Sequence, residues 1–221
     1  DHQAARERNL NIPDPRAPWR TARLAMEAGL REQSPVRRRS VRLTRAVDAL
    51  MQALALPLRL TGIYGRGRRN ALDLQLRRVK LEFADLPADL EGFTILHLSD
   101  FHVDYLPEAS AIATALVAGL EADLCVLTGD FMGDERRPVD AVLPALEELL
   151  GAVSSRHGVF AVLGNHDRAD LVTPLEGLGL TVLLNESRTI AVGRALLRIC
   201  GTDDVHKFYT EAAPQALRQA P

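Results

Sequence analysis

The chain has 221 residues, 47% apolar and 25% charged, the balance of a globular protein of one domain plus an appendage. No apolar run approaches the roughly 18 residues of a spanning helix; the best, residues 46–60, is broken by Asp48, Gln52, Pro57 and Arg59. The formal charge of −2 hides an asymmetry: residues 1–80 hold 18 basic and 7 acidic residues, whereas the remainder holds 9 and 22.

Residues 1–75 are expected to form a basic, Arg-rich arm. Its first part, interrupted by Pro13, Pro15, Pro18 and Pro35, reads as loose chain with one short helix over 19–32. From Ser40, the residues Leu43, Val47, Leu50, Met51, Leu54 and Leu58 draw one helical stripe, with Pro57 as its limit and Gly62, Gly65 and Gly67 as a joint. Five arginines between 37 and 45 crowd the start of that helix, so residues 37–60 have the character of a segment that meets an anionic membrane surface. Packing of the same helix on its own domain is the competing reading. Nucleic acid is a poorer partner, because only Trp19 and Tyr64 are aromatic before residue 80.

Residues 76–221 change texture. Arg77–Phe83 alternates charged and apolar residues, an edge-strand pattern. Three short apolar runs follow, FTILHLSD (93–100), DLCVLTGD (123–130) and GVFAVLGNHD (158–167), each ending in polar residues. Helical patterns lie between them, at Ile112–Leu120 and Val142–Leu150. Strands alternating with helices predict right-handed βαβ units and a parallel sheet. After Leu180 the pattern becomes consecutive strands, which predicts a mixed α/β fold. The two cysteines, Cys125 and Cys200, lie in strand-like runs, offer no disulfide framework and suit a reducing compartment. The expected location is cytoplasmic, with peripheral attachment at a membrane. The chain opens on Asp1 with neither initiator Met nor signal pattern, and so reads as trimmed or partial.

Ligands of open α/β sheets sit at the carboxyl ends of parallel strands. All three polar clusters lie at such ends: Asp100 and His102, then Asp130, then Asn165, His166 and Asp167. Gly-Asp alone is ordinary turn chemistry. Three clusters, each one βαβ period apart, should converge, and they bring carboxylates, an amide oxygen and imidazoles without a thiolate. That is a divalent-metal set. His97, His157, His206 and His2 read as ordinary sheet, turn or arm residues, and Gly201–Asp204 (GTDD) as a turn without a ligand role.

LSDFHVD, LTGDFMGD and LGNHD together resemble the calcineurin-like metallophosphoesterases over about residues 76–221, in particular the subgroup of bacterial membrane-associated phosphodiesterases and UDP-2,3-diacylglucosamine hydrolases. The resemblance implies an α/β/β/α sandwich with mixed sheets, of which this chain holds the N-terminal portion. It implies two divalent ions (manganese, iron or zinc): Asp100 and His102 would hold the first, Asp130 would bridge both, and Asn165 would hold the second. His166 would be the catalytic imidazole, oriented by Asp167. The expected reaction is attack of a two-metal-activated hydroxide on a phosphodiester, pyrophosphate or phosphomonoester. The family's later histidine motifs are absent, which carries the alternative expectation of a truncated, inactive chain. Anionic-surface or nucleic-acid binding through the arm is the second alternative.

Overall fold

The structure, a computed structural model, describes residues 14–33 and 41–218; within the helix 41–60 the side chains of residues 41–45, 47, 48, 51, 52 and 54 lie outside the description. Three helices come first: α1 (Ala17–Gln33), α2 (Val41–Leu60) and α3 (Ile63–Leu72). The βαβ series follows as β1 (Ile95–Leu98), α4 (Pro107–Val117), β2 (Glu121–Ala122), β3 (Leu124–Leu127), α5 (Leu143–Ala152), β4 (Ser154–Ser155), β5 (Val159–Ala161), α6 (Val172–Gly177) and β6 (Thr181–Val182). A hairpin of β7 (Glu186–Val192) and β8 (Ala195–Gly201) and a final helix α7 (Ala212–Arg218) complete it.

The predicted parallel sheet has the order β1-β3-β5-β6. Its register sets Leu98 beside Leu127 and Leu127 beside Ala161, so β1, β3 and β5 end level and their exit loops share one edge. Side chains alternate along β5 and its extension. Ala161 and Leu163 join the large core with Leu127, Val142, Leu146, Leu171 and Leu175. Phe160 and Val162 face the other way, with Leu124, Leu183, Ile190 and Ile199. Helices therefore cover one face and the β7–β8 hairpin the other. The antiparallel pairing expected after Leu180 forms this separate two-stranded sheet, while β6 stays parallel to β5.

The helix expected over 19–32 forms as α1, while the described part of the first 83 residues departs from expectation in four places. α1 is docked rather than loose: Arg16, the residue before it, pairs with Glu176 and Glu186, and Arg23 within it is fully buried. Pro57 does not end α2, which continues to Leu60; Thr61 returns both its backbone N–H and its hydroxyl to the Pro57 carbonyl, at 2.9 and 2.8 Å, and closes the last turn. Gly65 and Gly67 lie inside α3 rather than forming a joint. Of the α2 stripe, Leu50 and Leu58 are exposed, while Leu43, Val47, Met51 and Leu54 have side chains outside the description. Residues 77–83 are exposed and form no strand, because no ladder partner lies beside them among the described residues. No described helix is long and apolar enough to cross a membrane.

Candidate metal centre

The loops after β1 and β3 are held together by an extension of the sheet ladder. Asp100 N–H donates to the Gly129 carbonyl at 3.2 Å, His102 N–H to that of Asp130 at 2.9 Å, and Val103 N–H to that of Phe131 at 3.2 Å. To follow this course, Asp100, His102 and Asp130 adopt positive φ angles of 55°, 40° and 55°. Left-handed backbone is uncommon outside glycine and clusters where function over-determines the structure. Among the described residues only Asn185 is a further non-glycine case.

The result is a convergent donor set. One ligand atom from each of Asp100, His102 and Asp130 lies within 4.8 Å of the others. The His102 ring is oriented by its own loop: Nδ1 donates to the Met132 carbonyl at 2.9 Å, leaving Nε2, 3.8 Å from Asp130 Oδ2, as the lone-pair nitrogen. A carbonyl that fixes the tautomer in this way is the usual support of a metal-binding imidazole. Two carboxylates and one such nitrogen fit a divalent cation.

The third loop closes against this pair. A Cβ at Gly129 would sit 2.6 Å from Gly164 Cα and 2.7 Å from the Leu163 carbonyl carbon. A Cβ at Gly164 would meet Asp130 in return, 2.7 Å from its Cγ. The glycines of GD and GNHD are thus back to back, a close approach that turn chemistry alone did not explain. His166 N–H donates to Asp130 Oδ1 at 3.0 Å. The His166 ring stands edge-on to that of His102, with centroids 5.2 Å apart. Asn165 lines a cleft of about 300 Å³ together with Asp100, Asp130 and residues 202–205.

Asp167, expected to orient the His166 ring, is engaged by the backbone of the polar loops. It is buried, and both oxygens are taken by backbone: Oδ2 accepts from Asp130 N–H at 2.7 Å and Gly164 N–H at 2.8 Å, and Oδ1 from Met132 N–H at 3.1 Å. One carboxylate therefore ties the second polar loop to the third. Burial pushes its carboxyl up to about 6, against the downward pull of the Gly164 and Met132 N–H groups.

Sequence reasoning passed over Asp104, which repeats the device. Its side chain is fully buried and accepts from Gly133 N–H at 2.6 Å and Asp134 N–H at 3.0 Å. A carboxylate two residues after His102 was its only sequence signal. The remaining described histidines have other surroundings: His97 meets Thr128 Oγ1 at 2.8 Å, His157 lies against Phe93, and His206 is exposed; His2 lies outside the described residues. Burial raises the Cys125 thiol to about 11, far from a nucleophile's range.

Comparison with known proteins gives the same picture. Residues 93–211 match the family model described as calcineurin-like phosphoesterase. The chain is 30% identical over 166 residues to the uncharacterised metallophosphoesterase YkoQ of Bacillus subtilis (strain 168), covering 70% of this chain and 59% of YkoQ. It is 33% identical over 130 residues to the UDP-2,3-diacylglucosamine pyrophosphatase LpxG of Chlamydia trachomatis serovar D, covering 57% of this chain and 37% of LpxG. It therefore spans less than two thirds of YkoQ and little more than a third of LpxG.

Proposed function

This chain belongs to the calcineurin-like phosphoesterase family, and from that premise we propose that the protein hydrolyses phosphodiester or pyrophosphate-type bonds at the cleft lined by Asp100 and Asp130, whose donor set His102 completes. The observation that carries the reading is the donor set itself: three ligand atoms within 4.8 Å, on three residues held in left-handed backbone. The pyrophosphatase named among the relatives favours the bond type.

In this reading Asp100, His102 and Asp130 would hold divalent metal, and Asn165 would add its amide oxygen to the same site. Divalent ions bound there supply Lewis acidity toward phosphoryl oxygens and bring the pKa of water toward neutrality. His166 stands beside His102 and passes a proton to the leaving oxygen. Asp167 and Asp104 hold the backbone of the loops and touch no substrate. Manganese-loaded protein should hydrolyse bis(p-nitrophenyl) phosphate in a chelator-sensitive way. Asp130→Ala and His166→Ala should each lower kcat by at least about a hundredfold. Undiminished turnover in Asp130→Ala would overturn the assignment.

A second, compatible reading concerns attachment. Leu56, Leu60, Ile63 and Tyr64 are exposed together at the α2–α3 corner, with Leu60 80% exposed. The exposed Arg59, Arg66 and Arg69 lie among them. Apolar residues interleaved with cations suit an anionic bilayer surface.

A further inference from the structure

α1 reaches the back of the loop that carries Asn165 and His166, and it does so through one side chain. Arg23 is fully buried. Its Nη2 donates to the carbonyls of Gly164 and Asp167, the two residues flanking Asn165–His166. Its Nη1 pairs with the buried Asp203, and its Nε donates to Glu27 at 3.1 Å. Phe208 closes the fourth side, with the guanidinium carbon 3.3 Å from the ring centroid. Glu27 in turn accepts from Ala169 N–H at 2.8 Å.

The same guanidinium yokes a second wall of the cleft. Asp203 belongs to the cleft-lining residues after β8. It accepts from Trp19 Nε1 at 2.9 Å and from Asp204 N–H at 2.9 Å. From that loop Lys207 Nζ donates to the Asn165 carbonyl at 3.2 Å. Arg23 therefore ties together two loops that both line the cleft, without lining it itself. Lysine would not substitute for it, because a rigid planar fork is what lets one group serve two carbonyls and two carboxylates at once.

We propose that Arg23 is a positioning residue: by holding the Gly164 and Asp167 carbonyls it sets where Asn165 and His166 stand relative to Asp100, His102 and Asp130. The proposal rests on the reading of that cleft as the metal centre. A loop released by about 1 Å costs on the order of a hundredfold in rate, so the expected loss falls on kcat rather than KM.

The test compares Arg23→Lys and Arg23→Met with Leu149→Ala, a core truncation in α5 remote from the loop and comparably destabilising. Three readouts are taken: manganese binding by titration calorimetry, the His166 ring resonances by NMR, and kcat with KM. Arg23→Lys should weaken the ion served by Asn165 at least tenfold, shift the His166 resonances and lower kcat at least tenfold. Leu149→Ala should leave all three unchanged. Should Arg23→Met fail to fold, Arg23→Lys, which keeps the charge and the apolar stem, carries the test together with Trp19→Phe, which loosens Asp203 alone. Equal effects of Arg23→Lys and Leu149→Ala would overturn the proposal, as would unshifted His166 resonances in Arg23→Lys. If wild-type protein binds manganese but hydrolyses nothing, the proposed activity fails, while metal affinity and the resonances still decide the role of Arg23.

Discussion

Replacing Gly129 by alanine separates the two demands placed on that residue. Its φ is +84°, and an L side chain in left-handed backbone costs about 1–2 kcal/mol. Gly158 has nearly the same φ, +88°, and is the natural control, because a Cβ there meets nothing within 4 Å. At Gly129 the Cβ meets backbone at 2.6–2.7 Å and nearer. Backbone cannot rotate away as a flexible side chain does, so the GD and GNHD turns must part by about 1 Å, an overpacking cost of at least 1–3 kcal/mol. For a chain of this size about 1 kcal/mol lowers Tm by 2–4 °C. Gly158→Ala should then cost about 5 °C and Gly129→Ala about 10–15 °C by differential scanning fluorimetry. Gly129→Ala alone should also weaken manganese binding, since Asp130 is the next residue and Gly164 lies against it. Equal losses of Tm, or intact metal affinity in Gly129→Ala, would refute the claim that back-to-back glycines set the loop spacing.

Asp167 yields a pH signature in chelator-treated protein. Its carboxyl titrates near 6 in the fold and near 3.8 when unfolded, so the native state holds the proton more tightly. That contribution is fully present below about pH 3.8 and is lost as pH rises through 6. Wild type should therefore lose stability relative to Asp167→Asn between about pH 4 and 6.5, and a flat difference in Tm across that range would contradict the dominance of burial. At the α2–α3 corner, the protein should float with vesicles containing phosphatidylglycerol at low salt and be released near 1 M salt, where the Debye length falls to about 3 Å. Leu60→Asp with Ile63→Asp should abolish flotation; flotation unchanged by that pair would remove the corner from consideration.

The donor set was legible because its information is local. Asp100, His102 and Asp130 follow the ends of apolar runs, and strand ends at βαβ spacing share one sheet edge whatever the loops do in detail. The reach of α1 was not legible. Arg23 sits in an Arg- and Ala-rich stretch that reads as solvated, and its partners Asp203, Gly164 and Asp167 lie some 140–180 residues further on. No periodicity records a pairing at that separation. Residues 77–83 failed for the converse reason: alternation describes a strand's faces but not its neighbour, and a strand exists only when a ladder partner is beside it. Pro57 was misread because a missing N–H removes one helical bond without forbidding the turn that follows.

The loops also explain why carboxylates outnumber metal donors at this sheet edge. A positive φ at three neighbouring positions stores strain that relaxes unless something holds the backbone. Asp104 and Asp167 do this by accepting N–H groups from residues 130–134 and 164. Removing either would leave two or three buried N–H groups unpaired, at about 1–3 kcal/mol each. The sequence displays six acidic or amide residues in these motifs as if they were equivalent, of which Asp134 pairs with Arg136. The fold divides them: Asp100, Asp130 and Asn165 line the cleft, while Asp104 and Asp167 are turned into protein and spent on backbone. That division follows from burial and hydrogen bonding, not from spacing. It accounts for a carboxylate, Asp167, that lies next to the His166 ring in sequence yet acts on the peptide groups beneath it.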